Sequence, residues 1–195
     1  MKSLLLGGAG FIGSALARRL VQDGHQVLVV DDFSRGHRAA LSGCGILEID
    51  VSDWDGPEEW DWLFCLAGVV GVANVEGEPS RTWRVNSDAV QAALRTKTSK
   101  VFYASTSETY GVPEIIPTPE TAPLQVPNLI SPRAVYAATK IWGEAGIAHG
   151  GQPYVIGRFH NIYGPAMGTD LVIPKFCLQV KNAGPLIVHD PTAIR

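Results

Sequence analysis

A set of glycines close to the N-terminus limits the folds that this chain can adopt. Ser3–Leu6 has the continuous apolar character of a buried strand, and Phe11–Gln22 has the apolar spacing of a helix. Around them, Gly7 permits a tight turn, Gly10 allows the backbone to approach a phosphate, and Gly13 allows the helix to pack closely on the strand. The sequence therefore predicts a strand, a phosphate-binding turn and a helix, the first unit of a parallel α/β sheet.

An acidic residue after the next predicted strand extends this pattern. Gln26–Val30 predicts the strand, and Asp31 follows it, 18 positions after Gly13. A carboxylate at this position accepts hydrogen bonds from both hydroxyls of an adenosine ribose and repels a 2′-phosphate, which favours NAD over NADP. Arg35 and Arg38 leave NADP open, because arginine is the residue that binds a 2′-phosphate.

Apolar runs alternate with helical patterns through the rest of the chain. The further predicted strands are Ile46–Ile49, Trp62–Leu66, Val101–Ala104, Tyr154–Ile156 and Leu186–Val188, and the further predicted helices are Thr82–Leu94, Ala134–Ala148 and Leu171–Val180. The alternation predicts an α/β fold, a Rossmann-type doubly wound parallel sheet. Asp50 ends the third strand, where it either contacts an adenine or caps the strand end, and the sequence leaves both interpretations open.

Composition and charge exclude several classes of function. The formal net charge is -3 and no basic cluster occurs, which argues against nucleic-acid binding. The apolar start resembles a signal peptide, but glycines interrupt it, and no run approaches the roughly 18 apolar residues of a membrane span. Three widely spaced cysteines, Cys44, Cys65 and Cys177, lack metal-ligand spacing and indicate free thiols. We therefore expect a cytoplasmic protein with no metal site and no nucleic-acid or membrane partner.

Tyr136 and Lys140 provide a candidate reaction centre. They lie four positions apart in a predicted helix, so both side chains share one face. A free tyrosine has a pKa near 10, and acting as a base near pH 7 requires a decrease of about three units, or about 4 kcal/mol of preferential phenolate stabilisation. A neighbouring ammonium group and a positively charged nicotinamide ring can supply it. Such a pair is common by chance, but the glycine turn and the hydroxyls of Ser105, Thr106 and Ser107 strengthen the chemical interpretation.

Taken together, these motifs resemble those of the extended short-chain dehydrogenase/reductase family, which includes nucleotide-sugar epimerases, 4,6-dehydratases and decarboxylases. The matching segments, in family order over essentially the whole chain, are residues 7–13, 30–34, 50–51, 85–86, 104–111, 136–140 and 158–165. The resemblance implies an NAD-dependent enzyme that acts on a nucleotide sugar through a transient 4-keto sugar, with hydride passed to NAD and back. It also implies an NAD-binding Rossmann domain over residues 1–165 and the start of an incomplete C-terminal substrate-binding region over residues 166–195.

The resemblance also implies roles for individual residues. Tyr136 matches the base that takes the proton from the sugar 4-hydroxyl, Lys140 matches the residue that binds the nicotinamide ribose and lowers the tyrosine pKa, and Thr106 matches the hydroxyl that binds the reacting oxygen. The positions that match substrate contacts are Thr106, Ser107, Asn161 and Val172. The positions that match cofactor contacts are Gly7, Gly10, Phe11, Ile12, Gly13, Asp31, Asp32, Ser34, Asp50, Val51, Leu66, Ala67, Gly68, Asn86, Ser105, Tyr136 and Lys140.

Glu108 leaves the member of the family open. In relatives that resemble dehydratases and decarboxylases, a glutamate two positions after the threonine acts as a second acid or base near C5 of the sugar, so Glu108 is a candidate catalytic residue. The alternative is that Glu108 simply points into solvent at the end of its strand. Pro132-Arg133 resembles UDP-glucuronate decarboxylases, whereas residues 159–165 resemble GDP-mannose 3,5-epimerases.

The length of the chain leaves further alternatives open. Relatives continue past the point that matches Arg195, so a truncated protein that binds NAD without turnover is one alternative. A simple carbonyl reductase of the same superfamily is another, against which Asn161 and the proline-rich loop 112–132 count. Relatives commonly pair through a helix bundle that would include Ala134–Ala148, which predicts a homodimer.

Overall fold

The computed structural model describes residues 1–169 and 171–188, and one parallel sheet organises the fold. In the described residues the sheet has six strands in the order β3-β2-β1-β4-β5-β6. The strands are β1 (Lys2–Leu6), β2 (Gln26–Asp31), β3 (Gly45–Glu48), β4 (Trp62–Cys65), β5 (Val101–Thr106) and β6 (Tyr154–Phe159). The helices are α1 (Phe11–Gln22), α2 (Val72–Gly77), α3 (Pro79–Arg95), α4 (Ala134–Ala148) and α5 (Val172–Lys181). The chain order reverses between β1 and β4, and in such sheets ligands bind at the carboxyl ends of the strands beside this point.

Both faces of the central strand β1 are covered, which explains its uninterrupted apolar character. Leu4 and Leu6 pack on one face with buried residues of α3 and α4, whereas Leu5 packs on the other face with buried residues of α1. All three side chains are fully buried, because successive side chains of a strand point to opposite faces. The core therefore holds the carboxyl end of β1, where the glycine turn begins.

The predicted Rossmann-type fold class is confirmed, and α1 and α4 have the predicted bounds. β5 and β6 run further than predicted, to Thr106 and Phe159, because the two strands pair residue by residue up to those positions. α3 begins at Pro79 and not at the predicted Thr82, since proline fits the first turn of a helix. The sequence pattern does not predict the short helix α2.

The predicted strand at Leu186–Val188 is wrong, because these residues form no regular structure. A strand requires a hydrogen-bonded neighbour, and the described part of the chain provides none for this segment. The Ile187 N–H donates to the Gln179 side chain at 3.3 Å. α5 matches the predicted helix Leu171–Val180 within one residue at each end.

The chain divides into two compact units. The first unit is Met1–His160 and holds the whole sheet with α1 to α4, whereas the second unit begins at Asn161 and holds α5. The predicted NAD-binding domain, residues 1–165, includes the first unit and the opening residues of the second. Among the described residues, no helix has both the length and the apolar character needed to cross a membrane.

Candidate active site

Gly7 forms a turn that has no room for a side chain. Its φ of +80° lies in the left-handed region, and a Cβ on it would lie 2.5 Å from the Cα atom of Ala67. The Gly7 N–H donates to the Val30 carbonyl at 2.8 Å, which fixes the turn beside β2. Gly13 is equally confined, since a Cβ there would lie 2.7 Å from the Gly7 carbonyl oxygen. α1 therefore packs directly against the turn that follows β1.

The space in front of Gly10 is open, in contrast to the crowded space around Gly7 and Gly13. A Cβ on Gly10 would meet nothing nearer than the Gly7 carbonyl oxygen at 4.0 Å. Gly10 is also the N-cap of α1, and as a glycine it has no side chain that could accept hydrogen bonds from the first N–H groups of the helix. The first N–H groups of α1, those of Phe11 and Ile12 among them, are therefore available to an anion. This arrangement fits a diphosphate.

Asp31 closes the turn at the end of β2. Its Oδ2 atom accepts a hydrogen bond from the Ala9 N–H at 2.8 Å, and its Oδ1 atom accepts one from the Phe33 N–H at 2.9 Å. Burial raises the pKa of Asp31, and the two N–H donors act in the opposite direction. The neighbouring Asp32 accepts hydrogen bonds from the Ser34 N–H and hydroxyl, at 3.0 and 2.7 Å. Each Asp31 oxygen keeps a second lone pair, which suits it to accept ribose hydroxyls.

Arg35 and Arg38, the two arginines that could bind the 2′-phosphate of NADP, both have partners within the protein. Arg35 donates to the Val70 carbonyl at 3.0 Å. Arg38 forms an ion pair with Glu48, and its guanidinium lies over the Phe33 ring, 4.8 Å from the ring centre. Neither guanidinium is therefore held ready for a 2′-phosphate beside Asp31, which favours NAD.

Asp50 caps a short 3₁₀ helix formed by Val51–Asp53. Its Oδ1 atom accepts a hydrogen bond from the Ser52 N–H at 2.9 Å. This hydrogen bond lowers the pKa of Asp50, and Arg84, 3.8 Å away, acts in the same direction. Val51 is buried in the core. Asp50 therefore acts as a cap, and contacts of Asp50 and Val51 with an adenine stay predictions.

The segment after β4 lies against the glycine turn. The N–H groups of Leu66 and Ala67 both donate to the carbonyl of the last residue of β1, at 2.9 and 2.8 Å. Gly68 follows, and a Cβ on it would lie 2.9 Å from Asn86 Oδ1 and 3.6 Å from the Nζ atom of Lys140. This backbone segment therefore runs between the predicted cofactor turn and the predicted reaction centre.

A buried chain of hydrogen bonds links that segment to Tyr136. Asn86 of α3 accepts a hydrogen bond from the Val69 N–H at 2.8 Å and donates one to the Thr139 hydroxyl at 3.0 Å. Thr139 in turn donates to the Tyr136 carbonyl at 2.9 Å. The turn of α4 that carries Tyr136 is thus fixed relative to the backbone beside the glycine turn. Asn86 makes this link, and its direct contact with a cofactor stays a prediction.

Lys140 is buried on the same face of α4 as Tyr136. Its Nζ atom donates to the Ala104 carbonyl at 2.8 Å. The same atom lies 5.1 Å from the centre of the Tyr103 ring and 5.9 Å from the centre of the Tyr136 ring. Burial lowers the pKa of Lys140 to about 8, which still leaves most of the side chain charged near pH 7.

The phenol of Tyr136 is not a ready base within the chain alone. Burial raises its pKa to about 12, the Thr106 hydroxyl opposes this change, and the charge of Glu108 adds to it. The pKa therefore moves away from neutrality, and the Lys140 ammonium does not reverse the direction. A base function for Tyr136 requires additional positive charge at the site.

The end of β5 presents three hydroxyl groups with different partners. Thr106 caps the following 3₁₀ helix, residues 107–110, by accepting a hydrogen bond from the N–H two positions ahead at 3.3 Å. Ser105 is buried and donates to Glu144 of α4, so its predicted cofactor contact stays a prediction. Ser107 lines a cleft of about 920 Å³ beside β6, but Thr106, Tyr136 and Lys140 do not line it, so the substrate contact of Ser107 stays a prediction.

Glu108 is held in an ion pair. Its Oε1 atom lies 3.1 Å from Arg133 Nη2, and its Oε2 atom lies 3.4 Å from Arg133 Nε. This two-point hydrogen bond raises the pKa of Arg133. The Glu108 carboxylate is thus paired with a residue three positions before Tyr136, while its side chain stays 38% exposed to solvent. A catalytic role for Glu108 stays a prediction.

A second ion pair lies behind the hydroxyl-bearing end of β5. Arg158 of β6 contacts both carboxylate oxygens of Glu144, with a shortest distance of 2.7 Å. Arg158 also donates to the Tyr110 hydroxyl at 3.0 Å and to the Glu120 carbonyl at 2.8 Å. The pairing with Glu144 raises the pKa of Arg158. The network joins β6, α4, the 3₁₀ helix and the proline-rich loop.

The sequence predicts no role for three of these supporting residues, Thr139, Glu144 and Arg158, although Thr139 and Arg158 lie in segments that match the family. Glu144 has one usable signal, because it follows Lys140 by four positions and so shares its helix face. Thr139 has none, since its partner Asn86 lies 53 positions away. Contacts of this kind become visible only when the fold brings α3 and α4 together.

Two predicted substrate residues lie in the second unit. Asn161 is its first residue, and Val172 is the first residue of α5. Both side chains are exposed. Their contacts with a substrate stay predictions.

The sequence matches one protein family along nearly its whole length, the NAD dependent epimerase/dehydratase family, over residues 3–195. A UDP-N-acetyl-alpha-D-glucosaminuronate decarboxylase of Bacillus cytotoxicus is 34% identical, and the match covers 96% of this chain and 64% of that protein. The chain thus spans less than two thirds of the length of this relative.

Solved structures with related sequences have the same fold. A UDP-N-acetylglucosamine 4-epimerase from Methanobrevibacter ruminantium, in complex with UDP-N-acetylmuramic acid, gives a TM-score of 0.81 at 28% identity, covering 94% of this chain and 63% of that chain. A UDP-glucose 4-epimerase from Brucella ovis in complex with NAD gives a TM-score of 0.68 at 28% identity. The match covers 82% of this chain and 52% of that chain. The open space at Gly10, the uncapped start of α1 and the carboxylate of Asp31 fit the cofactor that the family name states. On the match over residues 3–195 and this shared fold, the chain belongs to the NAD dependent epimerase/dehydratase family.

Proposed function

We propose that this chain acts as an NAD-dependent nucleotide-sugar epimerase or dehydratase that works through a transient 4-keto sugar. The observation that carries the proposal is the placement of Tyr136 and Lys140 on one face of α4, with the Thr106 hydroxyl beside the phenol. These groups lie at the carboxyl ends of the strands, the edge at which α/β sheets bind ligands. The relatives that act on UDP-sugars by name support a nucleotide sugar as the substrate class.

The residues of the chain supply the proton transfer of this reaction. Tyr136 removes the proton of the sugar 4-hydroxyl, and Thr106 holds the reacting oxygen through a hydrogen bond. Lys140 keeps a positive charge within 5.9 Å of the phenol ring. Bound NAD supplies the hydride acceptor and donor together with a positively charged ring. Since burial raises the pKa of Tyr136 to about 12, we expect the phenolate to form only when the site has gained that charge.

Glu108 is our candidate for a second acid or base, which a dehydratase or decarboxylase needs near C5 of the sugar. It lies two positions after Thr106, and Arg133 fixes the direction of its carboxylate at 3.1 Å. Solvent deuterium incorporated at C5 during turnover identifies this activity, and Glu108→Gln should abolish the incorporation. Retained exchange in that variant would assign the proton transfer to another group.

A protein that binds NAD without turnover is the competing proposal. The chain spans 64% of the length of a similar decarboxylase. The observation that favours the competing proposal is the raised pKa of Tyr136, about 12 through burial, because a phenol with this pKa is a poor base near pH 7. Incubation with NAD and a panel of UDP-, GDP- and dTDP-sugars, without added reductant, separates the two proposals by NMR analysis of the products. Conversion that is lost in Tyr136→Phe supports the enzyme. NAD binding without conversion of any sugar supports the competing proposal.

We also propose that two copies pair through α3 and α4, in the cytoplasm. Trp83 on α3 and Trp142 on α4 are 50% and 39% exposed, and exposed tryptophans on adjacent helices suit a protein interface. Light scattering should give the mass of a dimer for the native chain and of a monomer for Trp83→Glu. A monomeric native chain would contradict the pairing.

The free cysteines support the proposed location in the cytoplasm, because thiols stay reduced in a reducing compartment.

A further inference from the structure

We infer that Tyr103 is a positioning residue of the reaction centre, because its aromatic ring holds the ammonium group of Lys140. The Nζ atom lies over the ring, 5.1 Å from its centre. A cation at this distance from the face of an aromatic ring is attracted by the negative charge of the ring face. The contact joins β5 to the turn of α4 that carries the predicted catalytic pair.

Lys140 needs such a neighbour because it has few polar partners. The residue is only 4% exposed, so water provides little of its solvation. In the described part of the chain its three donors make one hydrogen bond, to the Ala104 carbonyl at 2.8 Å. A buried ammonium group requires compensation for its lost hydration, and the ring of Tyr103 provides part of it.

A glycine of α4 makes room for this ring. A Cβ on Gly143 would first meet the hydroxyl oxygen of Tyr103 and would lie 2.6 Å from the Cζ atom that carries it, so the glycine leaves room for the hydroxyl end of the ring. Gly143 follows Lys140 by three positions, so one face of the helix both receives the ring and places the ammonium group over it. The position of the tyrosine beneath Lys140 therefore depends on the glycine.

The hydroxyl of Tyr103 does not explain why a tyrosine occupies this place. Its oxygen is buried and has no hydrogen-bond partner among the residues that the structure describes. An unpaired buried hydroxyl destabilises a fold, so Tyr103→Phe should be at least as stable as the native chain. What Tyr103 contributes is the ring.

The charge of Lys140 depends on a small set of neighbours. The titratable groups that face it are Cys65 on β4, Tyr103 on β5, and Tyr136 and Glu144 on α4. Burial lowers the pKa of Lys140 to about 8, and Cys65 and Glu144 oppose the change. A further decrease of about one unit would leave roughly half of the lysine neutral near pH 7. Loss of the contact with the ring, 5.1 Å from Nζ, should therefore change the fraction of Lys140 that is charged near pH 7.

Titration of Lys140 by ¹³C NMR tests the inference without any need for turnover. The chain has six lysines, so labelling at the ε carbon gives a simple spectrum, in which Lys140→Met identifies the signal. Tyr103→Phe keeps the ring, and 4-fluoro- and 3,4,5-trifluorophenylalanine at position 103 keep its shape while withdrawing electrons from its face. We expect the Lys140 pKa to be nearly unchanged in Tyr103→Phe and to fall by about one unit across the fluorinated series.

Phe102 provides the matched control. It precedes Tyr103 on β5 and packs on the other face of the sheet, with its ring 6.0 Å from that of Phe64. Trifluorophenylalanine at position 102 should leave the Lys140 pKa unchanged. The inference would be overturned if fluorination at position 103 left the Lys140 pKa unchanged, or if fluorination at position 102 changed it by the same amount.

The affinity for NAD separates this inference from the proposed function. If Lys140 binds the nicotinamide ribose, as the family resemblance implies, the pH at which NAD affinity is half lost should follow the Lys140 pKa through the series. A lysine pKa that falls while the NAD profile stays fixed would remove Lys140 from cofactor binding and would still support its contact with Tyr103.

Discussion

The glycine turn and the reaction centre lie at the same edge of the sheet but are built in different ways. The turn depends on missing side chains, since a Cβ on Gly13 would lie 2.7 Å from backbone atoms of residues 7 and 8. The reaction centre depends on buried side chains that hold one another, such as Asn86 with Thr139 and Tyr103 with Lys140. Steric exclusion within a short segment shapes the first region, and contacts between distant segments shape the second.

This difference determines what each region tolerates. At Gly7 and Gly13 the turn has no room for an added Cβ atom, and at Gly10 an added Cβ atom would occupy the space kept for a phosphate, so substitutions in the turn should first damage folding or cofactor binding. A centre shaped by specific polar contacts can lose a single functional atom and keep its fold. Substitutions there should first damage turnover.

The largest expected effect belongs to the reaction centre. Tyr136→Phe removes the phenol oxygen and should lower kcat about a thousandfold, equivalent to about 4 kcal/mol, while NAD affinity stays nearly intact. Turnover of a sugar that the panel identifies gives kcat, and calorimetry gives the affinity. Thr98→Val, which removes a hydroxyl before the start of β5, at the opposite edge of the sheet, is the control and should keep full activity. Full activity in Tyr136→Phe would remove the tyrosine from the mechanism.

Substitutions at two glycines, Gly13 and Gly10, separate the steric role of the turn from its role in cofactor binding. Gly13→Ala places a Cβ 2.7 Å from the Gly7 carbonyl and should lower the free energy of unfolding by about 2–3 kcal/mol. Gly10→Ala meets nothing nearer than 4.0 Å, so stability should change by less than about 1 kcal/mol while NAD binding weakens. Urea unfolding and calorimetry measure the two quantities. Unchanged NAD affinity in Gly10→Ala would show that no phosphate approaches this residue.

Asp31 tests the choice of cofactor. Asp31→Ala removes the acceptor proposed for the ribose hydroxyls and should weaken NAD by about 2 kcal/mol, with a smaller loss for NADP. Because the same change frees the N–H groups of Ala9 and Phe33, Asp31→Asn is the better-shaped companion variant. Calorimetric titration with both dinucleotides measures the preference. An unchanged ratio of the two affinities would count against the ribose role.

The smallest effect concerns the pair of Glu108 and Arg133. Its side chains are 38% and 39% exposed, so a double-mutant cycle with Glu108→Gln and Arg133→Ala should give a coupling of only about 0.5 kcal/mol in unfolding. The pair of Arg38 and Glu48, whose side chains are 55% and 56% exposed, serves as a more exposed comparison. A coupling of several kcal/mol would mean that the pair supports the fold, as the buried contacts of α4 do.

The sequence could predict the turn because each of its requirements is local. Gly7, Gly10 and Gly13 lie in one short segment between a strand and a helix, and the bounds of α1 follow from its apolar spacing. The proposed catalytic pair could be predicted for the same reason, since Tyr136 and Lys140 are one helical turn apart. In both cases spacing along the chain determines spacing in the fold.

The supporting contacts could not be predicted, because nothing along the chain connects their partners. Arg133 lies 25 positions from Glu108, and Glu144 lies 39 positions from Ser105. The direction in which the Tyr136 pKa changes could also not be predicted from the sequence. Its neighbour Lys140 suggests a decrease, but burial by the packed fold produces an increase.

The ion pair between Glu144 and Arg158 restricts how variants of this chain can arise. Loss of either partner alone leaves the charge of the other without its counter-ion and should destabilise the fold by about 3–5 kcal/mol, whereas joint replacement by well-packed apolar residues removes both charges together and should cost less. A lineage that leaves this pair must therefore change both codons together or pass through a poorly folded ancestor. Anyone reshaping the adjacent cleft should treat positions 144 and 158 as one unit of design.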